Sequence, residues 1–415
     1  MPPCSLPADS PASAWMSPCA EQAPGRVTRC GSAIWSSSTR SPTLDEDAGR
    51  RAPPPTGSPV VLKVGSSSLT RADGAVDERA IERVMWQVST FWEAGHPAVL
   101  VSSGAVAAGS SAVGGRPSDT TGLQVAAAVG QTLLMSHYSR VFPSIGRTVG
   151  QVLLTVDVLA MRAQYLHARR TLTRMLERGI VPIVNENDTV AIHGWKMGDN
   201  DRLAAIVSHL VSAGMLVLLT DTDGLYSADP RTGEGEPILT VRHRDPILDR
   251  VAAGAPGPVG SGGVGTKVEA VRMAAWSGIP TVIARSDRPG VVDTIIRGGA
   301  AGTYVVPGDT KLSAWKLWLA FGQQPSGTLR IDDGAVRALA SRGGSLLPVG
   351  ITGMEGEFPA GASVEVRSST GVLVGKGLVT TDSDQIRDRM GKRTTDTGVP
   401  SEVIHRDRLV VLLDG

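Results

Sequence analysis

The sequence predicts an α/β protein: a mainly parallel sheet with helices on both faces, an αβα sandwich, followed by a small β-rich module. Three observations carry this. From Val60 onward, short apolar runs rich in β-branched residues alternate with stretches of helical period, a pattern that builds parallel strands joined by covering helices. Those runs mostly stop at small or polar residues, as at Gly65, Ser102 and Asn185, which break strands and form turns. Beyond Phe321-Gly322 the long helical stretches give way to short alternating segments, the mark of half-buried strands.

Residues 1 to 58 stand apart. They are rich in Pro, Ser and Ala and include Pro53-Pro54-Pro55. A segment with so little apolar surface to bury is expected to be disordered. It lacks a basic start followed by an apolar core, so it does not read as a secretory leader. Val60–Val64 is the first strand, Asp77–Phe91 has helical period, and Ala98–Val101 is the second strand. That strand runs into Ser102-Ser103-Gly104, a small-residue turn that opens a helix. Val149–Thr155 is a third strand, followed by a helix through Leu172 and Leu176, and Ile180–Val184 is a fourth, ending at Asn185-Glu186-Asn187-Asp188. A helix starts near Gly198-Asp199-Asn200-Asp201 with Leu203, Ile206, Val207 and Leu210 on one face, and Met215–Thr220 is a fifth strand. A Gly/Pro-rich loop over 254–265 leads into a helix at Lys267–Trp276, then a strand at Thr281–Ala284 and a helix at Val291–Ile296. The boundary falls at Gln324 to Gly327, giving a domain over 59–324 and a module over 327–415 with strands near Ser363–Arg367 and Val372–Gly377 and a helix near Gly334–Ser341.

With 41 basic and 40 acidic side chains, the chain is not built to hold nucleic acid or membrane by bulk charge. No apolar run approaches the ~20 residues of a membrane-spanning helix. Its three cysteines, Cys4, Cys19 and Cys30, all lie in the first segment, so the rest can form neither a disulfide framework nor a cysteine zinc site. This usage points to the cytoplasm.

The chemistry-bearing residues gather at one edge. Lys63 ends an otherwise apolar strand, where its charge is costly without an anion opposite; the plainer alternative is a lysine that snorkels from an edge strand. Ser103-Gly104, Asp188, Asn200-Asp201 and Lys267 likewise follow predicted strands or open predicted helices. Each has an ordinary explanation as a turn or a helix cap. Together they fall where ligands of open α/β sheets bind, beyond the carboxyl ends of the strands. A G-x-x-x-x-G-K-[ST] phosphate loop is absent. Gly260 to Gly265 matches G-x-G-x-x-G but follows a loop rather than a strand, which argues against a dinucleotide site. Followed by Thr266-Lys267, these glycines suit a flexible phosphate loop at a helix start.

The stretches VLKVGSSSLT, VSSGAVAAG, VGQVLLT, VPIVNENDTV, KMGDNDRLAA, LLTDTDGLYSADP and GGVGTKVEA resemble the amino acid kinase family, in its glutamate-phosphorylating members. The C-terminal RGGSLLPVGI and IHRDRLVVL resemble a PUA domain. The resemblance implies ATP- and Mg²⁺-dependent phosphorylation of the γ-carboxylate of L-glutamate, the first step of proline synthesis. It also implies inhibition by proline, a homo-oligomer and a glutamyl-phosphate reductase as partner. Carried over residue by residue, Lys63 and Lys267 contact the transferring phosphoryl group, Asp201 orients them and Lys196 adds positive charge. Ser103, Gly104, Asp188 and Asn200 bind glutamate. Thr220, Asp221 and the loop Ser261, Gly262, Gly263, Val264, Gly265, Thr266 and Lys267 border ATP. No protein ligands to a metal are assigned. The loop departs from the family pattern at Ser261, Val264 and Gly265, where Thr, Met and Ser are expected. Two other readings stand beside this one. One is a kinase of the same fold acting on acetylglutamate, aspartate or UMP. The other is an RNA-binding PUA protein with a vestigial kinase domain, using the basic cluster Arg387, Arg389, Lys392 and Arg393, whose plainer alternative is a solvated surface.

Overall fold

The chain is described by a computed structural model over residues 51–71, 73–190, 200–230, 235–253, 263–309, 311–392 and 402–413. Its centre is β1 (Val60–Val64), in which every residue is buried. In chain order there follow α1 (Glu78–Glu93), β2 (Ala98–Val101), α2 (Ala105–Ser110), α3 (Thr120–Val141), β3 (Thr148–Leu154), α4 (Arg162–Glu177), β4 (Ile180–Glu186), α5 (Asn200–Leu210) and β5 (Met215–Thr220). A short hairpin of β6 (Leu225–Tyr226) and β7 (Pro237–Ile238) precedes β8 (Thr240–Arg242), α6 (Ile247–Ala252), α7 (Val264–Trp276), β9 (Thr281–Arg285), α8 (Val291–Ile296) and β10 (Thr303–Val306).

The sheet order is β3-β4-β2-β1-β5-β9-β10-β8, parallel throughout except where β10 runs against β9. Side chains of a strand alternate between faces, and the two cores follow that rule. Val61, Val99, Leu216 and Leu218 pack in one core with Leu172 of α4, Leu203 and Ile206 of α5 and Val271 of α7. Leu62, Leu100, Val217 and Leu219 pack in the other with Ile81 and Val88 of α1, Leu134 of α3 and Val291 of α8. The αβα sandwich is therefore present, and Lys63, in step with Val61, faces the side of α5 and α7.

The expected strands and helices of this region fall within a few residues of their observed limits, but α3 has no counterpart in the sequence reading. Its buried residues Ala127, Gln131, Leu134 and Tyr138 recur at helical spacing. Val125 and Leu133 stay exposed on its outer side, which blurs the apolar–polar contrast that marks an amphipathic helix. Asp119 caps it, accepting from the Gly122 N–H at 2.8 Å. α2 and α3 touch backbone to backbone at two glycines. A Cβ on Gly130 would lie 1.8 Å from the Ala105 carbonyl oxygen, and one on Gly109 would lie 1.9 Å from that of Ala126.

Residues 51–58 correct the disorder expected of the first segment. Arg51 donates to the carbonyls of Leu239 at 2.9 Å and Gly302 at 2.8 Å, and Pro54 is buried. Composition hid this because a single arginine with three carbonyls in reach, Gly299 being the third, anchors an otherwise apolar-poor stretch.

After β10, α9 (Ala314–Leu317) continues as a wide turn to Gly322. The second sheet has the order β12-β11-β13-β14-β15, with β11 (Gly327–Ile331), β12 (Ile351–Glu355), β13 (Ser363–Ser368), β14 (Leu373–Leu378) and β15 (Leu409–Val411). α10 (Asp333–Arg342) and α11 (Ser383–Arg389) accompany it, and Leu329, Val364, Val374, Ile386 and Ile404 form its own core. Val410 instead joins the core that holds Leu317 and Trp318. Lys316 donates to the carbonyls of Arg406 and Leu409, and the Trp315 indole donates to that of Asp407 at 3.1 Å. The module is thus hydrogen-bonded to the end of the first domain.

Replacing Gly130 by Ala drives a methyl into a backbone carbonyl and is expected to cost about 2–3 kcal/mol, the scale of overpacking in a well-filled interior. Urea unfolding checks this, and a loss under ~0.5 kcal/mol would mean that α2 and α3 separate freely.

Candidate active site

Lys63 enters the site because β1 turns its odd-numbered side chains toward α5 and α7. It is 5% exposed and its ammonium lies 2.7 Å from Asp201 Oδ1. Asp201, the second residue of α5, is fully buried, and its Oδ2 accepts from Lys267 Nζ at 3.2 Å. Lys267 stands in the first turn of α7. Three elements far apart in sequence thus converge on one carboxylate. Burial alone would raise the Asp201 carboxyl, but the charges of Lys63 and Lys267 and the hydrogen bonds from both outweigh it and hold the group below the usual carboxylate range. Two cations on one anion leave the cluster with a surplus positive charge, which suits a seat for an anion.

Beside this cluster lies a set of amides and hydroxyls. Asn200 opens α5, and its Nδ2 lies 2.7 Å from the Ser102 carbonyl oxygen, 2.7 Å from Asn185 Oδ1 and 3.2 Å from Ser103 Oγ. Its Oδ1 is buried and has no hydrogen-bond partner among the described residues. The same holds for Asp188 Oδ1 beyond the end of β4. Burial pushes the Asp188 carboxyl up to about 6, because no described cation lies close enough to offset the loss of water. A buried acceptor left open costs stability, so the open oxygen of Asn200, next in sequence to Asp201, and that of Asp188, beyond the end of β4, each point to a polar ligand that donates to them.

Gly104 supplies the sharp turn between β2 and α2. Its φ of +91° lies in the left-handed region, which L side chains rarely adopt. Thr220 ends β5 with its hydroxyl donating to Asp221 Oδ1 at 3.0 Å. Gly263, Val264, Gly265 and Thr266 form the start of α7, where the Thr266 hydroxyl donates to the Gly263 carbonyl at 2.8 Å. Lys196, Ser261 and Gly262 lie outside the described residues.

The structure therefore brings Lys63, Asp201 and Lys267 into direct contact, joins Ser103 to Asn200, and sets Thr220 at the end of the strand next to β1 with Asp221 just beyond it. The sequence reading passed over four residues that shape this site: Ser102, Gln131, Tyr138 and Asn185. Asn185 and Ser102 were visible only as strand ends, and the other two sit on the unpredicted α3. Of the basic cluster read for RNA, the described residues behave differently from one another, and Lys392 alone is exposed without an ion pair among the described residues. Arg389 is buried, Arg387 pairs with Asp384 of its own helix at 2.7 Å, and Arg393 lies outside the described residues. Sequence proximity had grouped side chains that α11 points in different directions. Among the described residues no group of three His, Cys, Asp or Glu side chains could hold a metal ion, and no helix is long and apolar enough to cross a membrane.

Comparison with known proteins gives two matches to family models: the amino acid kinase family over residues 58–285 and the PUA domain over residues 327–397. Among curated proteins, the glutamate 5-kinase of Frankia casuarinae is 45% identical over 364 residues, covering 85% of this chain and 96% of that protein. That of Thermobifida fusca is 44% identical over 367 residues, covering 86% and 94%. That of Geobacter sulfurreducens is 40% identical over 362 residues, covering 85% and 97%.

Removing the charge of Asp201 leaves two ammonium groups facing each other with little water. The change Asp201→Asn is expected to lower unfolding free energy by about 3 kcal/mol, as breaking a buried ion pair does. A loss under ~1 kcal/mol in denaturant titration would mean that the lysines find other partners.

Proposed function

This chain belongs to the amino acid kinase family, and from that premise we propose that it transfers the γ-phosphoryl group of ATP to the side-chain carboxylate of L-glutamate. The observation that carries the proposal is the carboxylate of Asp201 held between Lys63 and Lys267, with the open acceptor of Asn200 next to it in sequence and a second on Asp188 beyond the end of β4. The likeness to proteins named glutamate 5-kinase, over nearly their whole length, supports the choice of glutamate.

The difficulty of the reaction is charge. A carboxylate must approach a polyphosphate, and the two repel before any bond forms. In the proposed step a γ-carboxylate oxygen attacks the terminal phosphorus. The bond from that phosphorus to the bridging oxygen breaks, and ADP leaves with the electron pair. No proton moves, because the nucleophile is already ionised at neutral pH. The protein's task is therefore positioning and charge stabilisation. Lys63 and Lys267 carry the charge of the transferring group, and Asp201 keeps both ammoniums aimed without acting as a base. Lys196 adds positive charge from its own segment. Magnesium arrives as part of the MgATP substrate, since Asp201 is committed to two lysines. Thr220, Asp221 and the 261–267 segment border the nucleotide.

On the substrate side, Asp188 and Asn200 Oδ1 accept from the α-ammonium of glutamate, with Ser103 and Gly104 near the reacting end. The acyl phosphate product is destroyed by water, so the site closes over it. The same reading places the reaction in the cytoplasm, at the start of proline synthesis. It includes feedback inhibition by proline, assembly into a homo-oligomer and handover of the product to a glutamyl-phosphate reductase.

The test is ATP-dependent acyl phosphate formation trapped with hydroxylamine, run with L-glutamate, N-acetyl-L-glutamate and L-aspartate, and with ADP release from UMP alongside. Turnover with glutamate alone is expected, and turnover with another acceptor in its place would reject the assignment. Lys63→Ala and Lys267→Ala are each expected to lower kcat by about 100-fold or more; a change below ~5-fold removes that lysine from the mechanism. Asp188 must be ionised to hold an ammonium, and with its carboxyl near 6 it is protonated below that value. The ratio kcat/KM for glutamate should thus fall about tenfold per pH unit below pH 6, and Asp188→Asn should abolish that limb. A profile flat down to pH 5 in the unaltered enzyme would contradict the role.

A further inference from the structure

We infer that Gln131, on α3, is a positioning residue that fixes how the site reads the ammonium group of its substrate. The inference rests on the glutamate reading above and adds a residue and a specificity mechanism to it. Gln131 is 8% exposed, and its Oε1 accepts from Asn185 Nδ2 at 2.6 Å. Asn185 Oδ1 in turn accepts from Asn200 Nδ2 at 2.7 Å. Three amides are therefore linked in series, from the back of α3 to the first residue of α5.

The direction of the series is set by backbone groups whose polarity cannot change. The Ser102 carbonyl accepts from Asn200 at 2.7 Å, so the NH₂ of Asn200 faces the protein. The Glu186 N–H donates to Asn185 Oδ1 at 2.9 Å, so the NH₂ of Asn185 faces Gln131. Two N–H bonds of Asn200 are then spent on the Ser102 carbonyl and Asn185, and its oxygen is turned away from both. That oxygen is the buried acceptor without a partner among the described residues. A side-chain amide free to turn by half a rotation would offer an ammonium its NH₂ as often as its oxygen. The series removes that freedom.

Gln131 closes the far end. Without its oxygen the buried NH₂ of Asn185 has no acceptor, a state costly enough for Asn185 to rotate in search of one. Rotation of Asn185 releases Asn200. The neighbouring Tyr138 hydroxyl, 2.9 Å from Ser102 Oγ, ties the second strand end to the same helix. Among the described residues no hydrogen bond joins it to the three amides, so Gln131 carries the orientation.

The experiment compares the full chain with Gln131→Met and Gln131→Leu, using glutamate and glutarate as acceptors at saturating ATP. Glutarate has the same reacting carboxylate and lacks the ammonium. Methionine is unbranched, favours helices and adapts its shape, so it keeps the packing if leucine does not. The expected result is a rise of tenfold or more in KM for glutamate, with KM for ATP and the melting temperature little changed. The preference for glutamate over glutarate in kcat/KM should fall by a similar factor. An unchanged glutamate KM or an unchanged preference overturns the inference. So does a parallel loss of ATP affinity or of fold in both variants, which assigns Gln131 to packing alone. Failure of the unaltered chain to use glutamate at all rejects the proposed function, and this inference with it.

Discussion

Two ammonium groups, Lys63 and Lys267, share one buried carboxylate, Asp201, and much of the structure can be understood as the means of keeping them there. None of the three is stable at such depth alone, since a buried charge needs a partner. Lys63 needs a strand whose neighbours are all apolar, so that its side chain has only one polar direction to follow. Asp201 needs a helix that begins at the sheet edge. Lys267 needs a second helix beginning at the same place. The parallel sheet supplies these requirements together, because its strand ends and following helix starts collect on one side.

Part of this was legible in the sequence. A single lysine in the run Val60–Val64 is conspicuous, and Asn200-Asp201 ahead of an apolar face marks a helix start. What could not be read was α3. Its inward face uses Ala, Gly and Gln while Val125 and Leu133 face outward, so hydrophobic period says little. The amide series hangs on that helix, and local pattern cannot show that Gln131 meets Asn185, 54 positions away. The loss of Arg389 to the interior has the same origin: charge run in sequence is not charge on a surface.

The packing across the boundary between the two sheets also escaped local reading. The change of texture near Gly327 was visible, but the strand that returns to the first domain was not. Val410 packs with Leu317 and Trp318, and Lys316 holds two carbonyls of the 406–409 segment. The C-terminal module is therefore bound to the kinase domain by the last strand of the chain rather than by its linker alone.

The central claim is that a carboxylate oxygen, not water, attacks the terminal phosphorus of ATP in front of Lys63 and Lys267. Glutamate labelled with ¹⁸O in its γ-carboxylate, turned over with MgATP and trapped with hydroxylamine, tests it most directly. Hydroxylamine attacks the acyl carbon and expels phosphate with the bridging oxygen, so the released phosphate should carry one ¹⁸O. Phosphate without label would show that its new oxygen came from solvent, and would contradict the account.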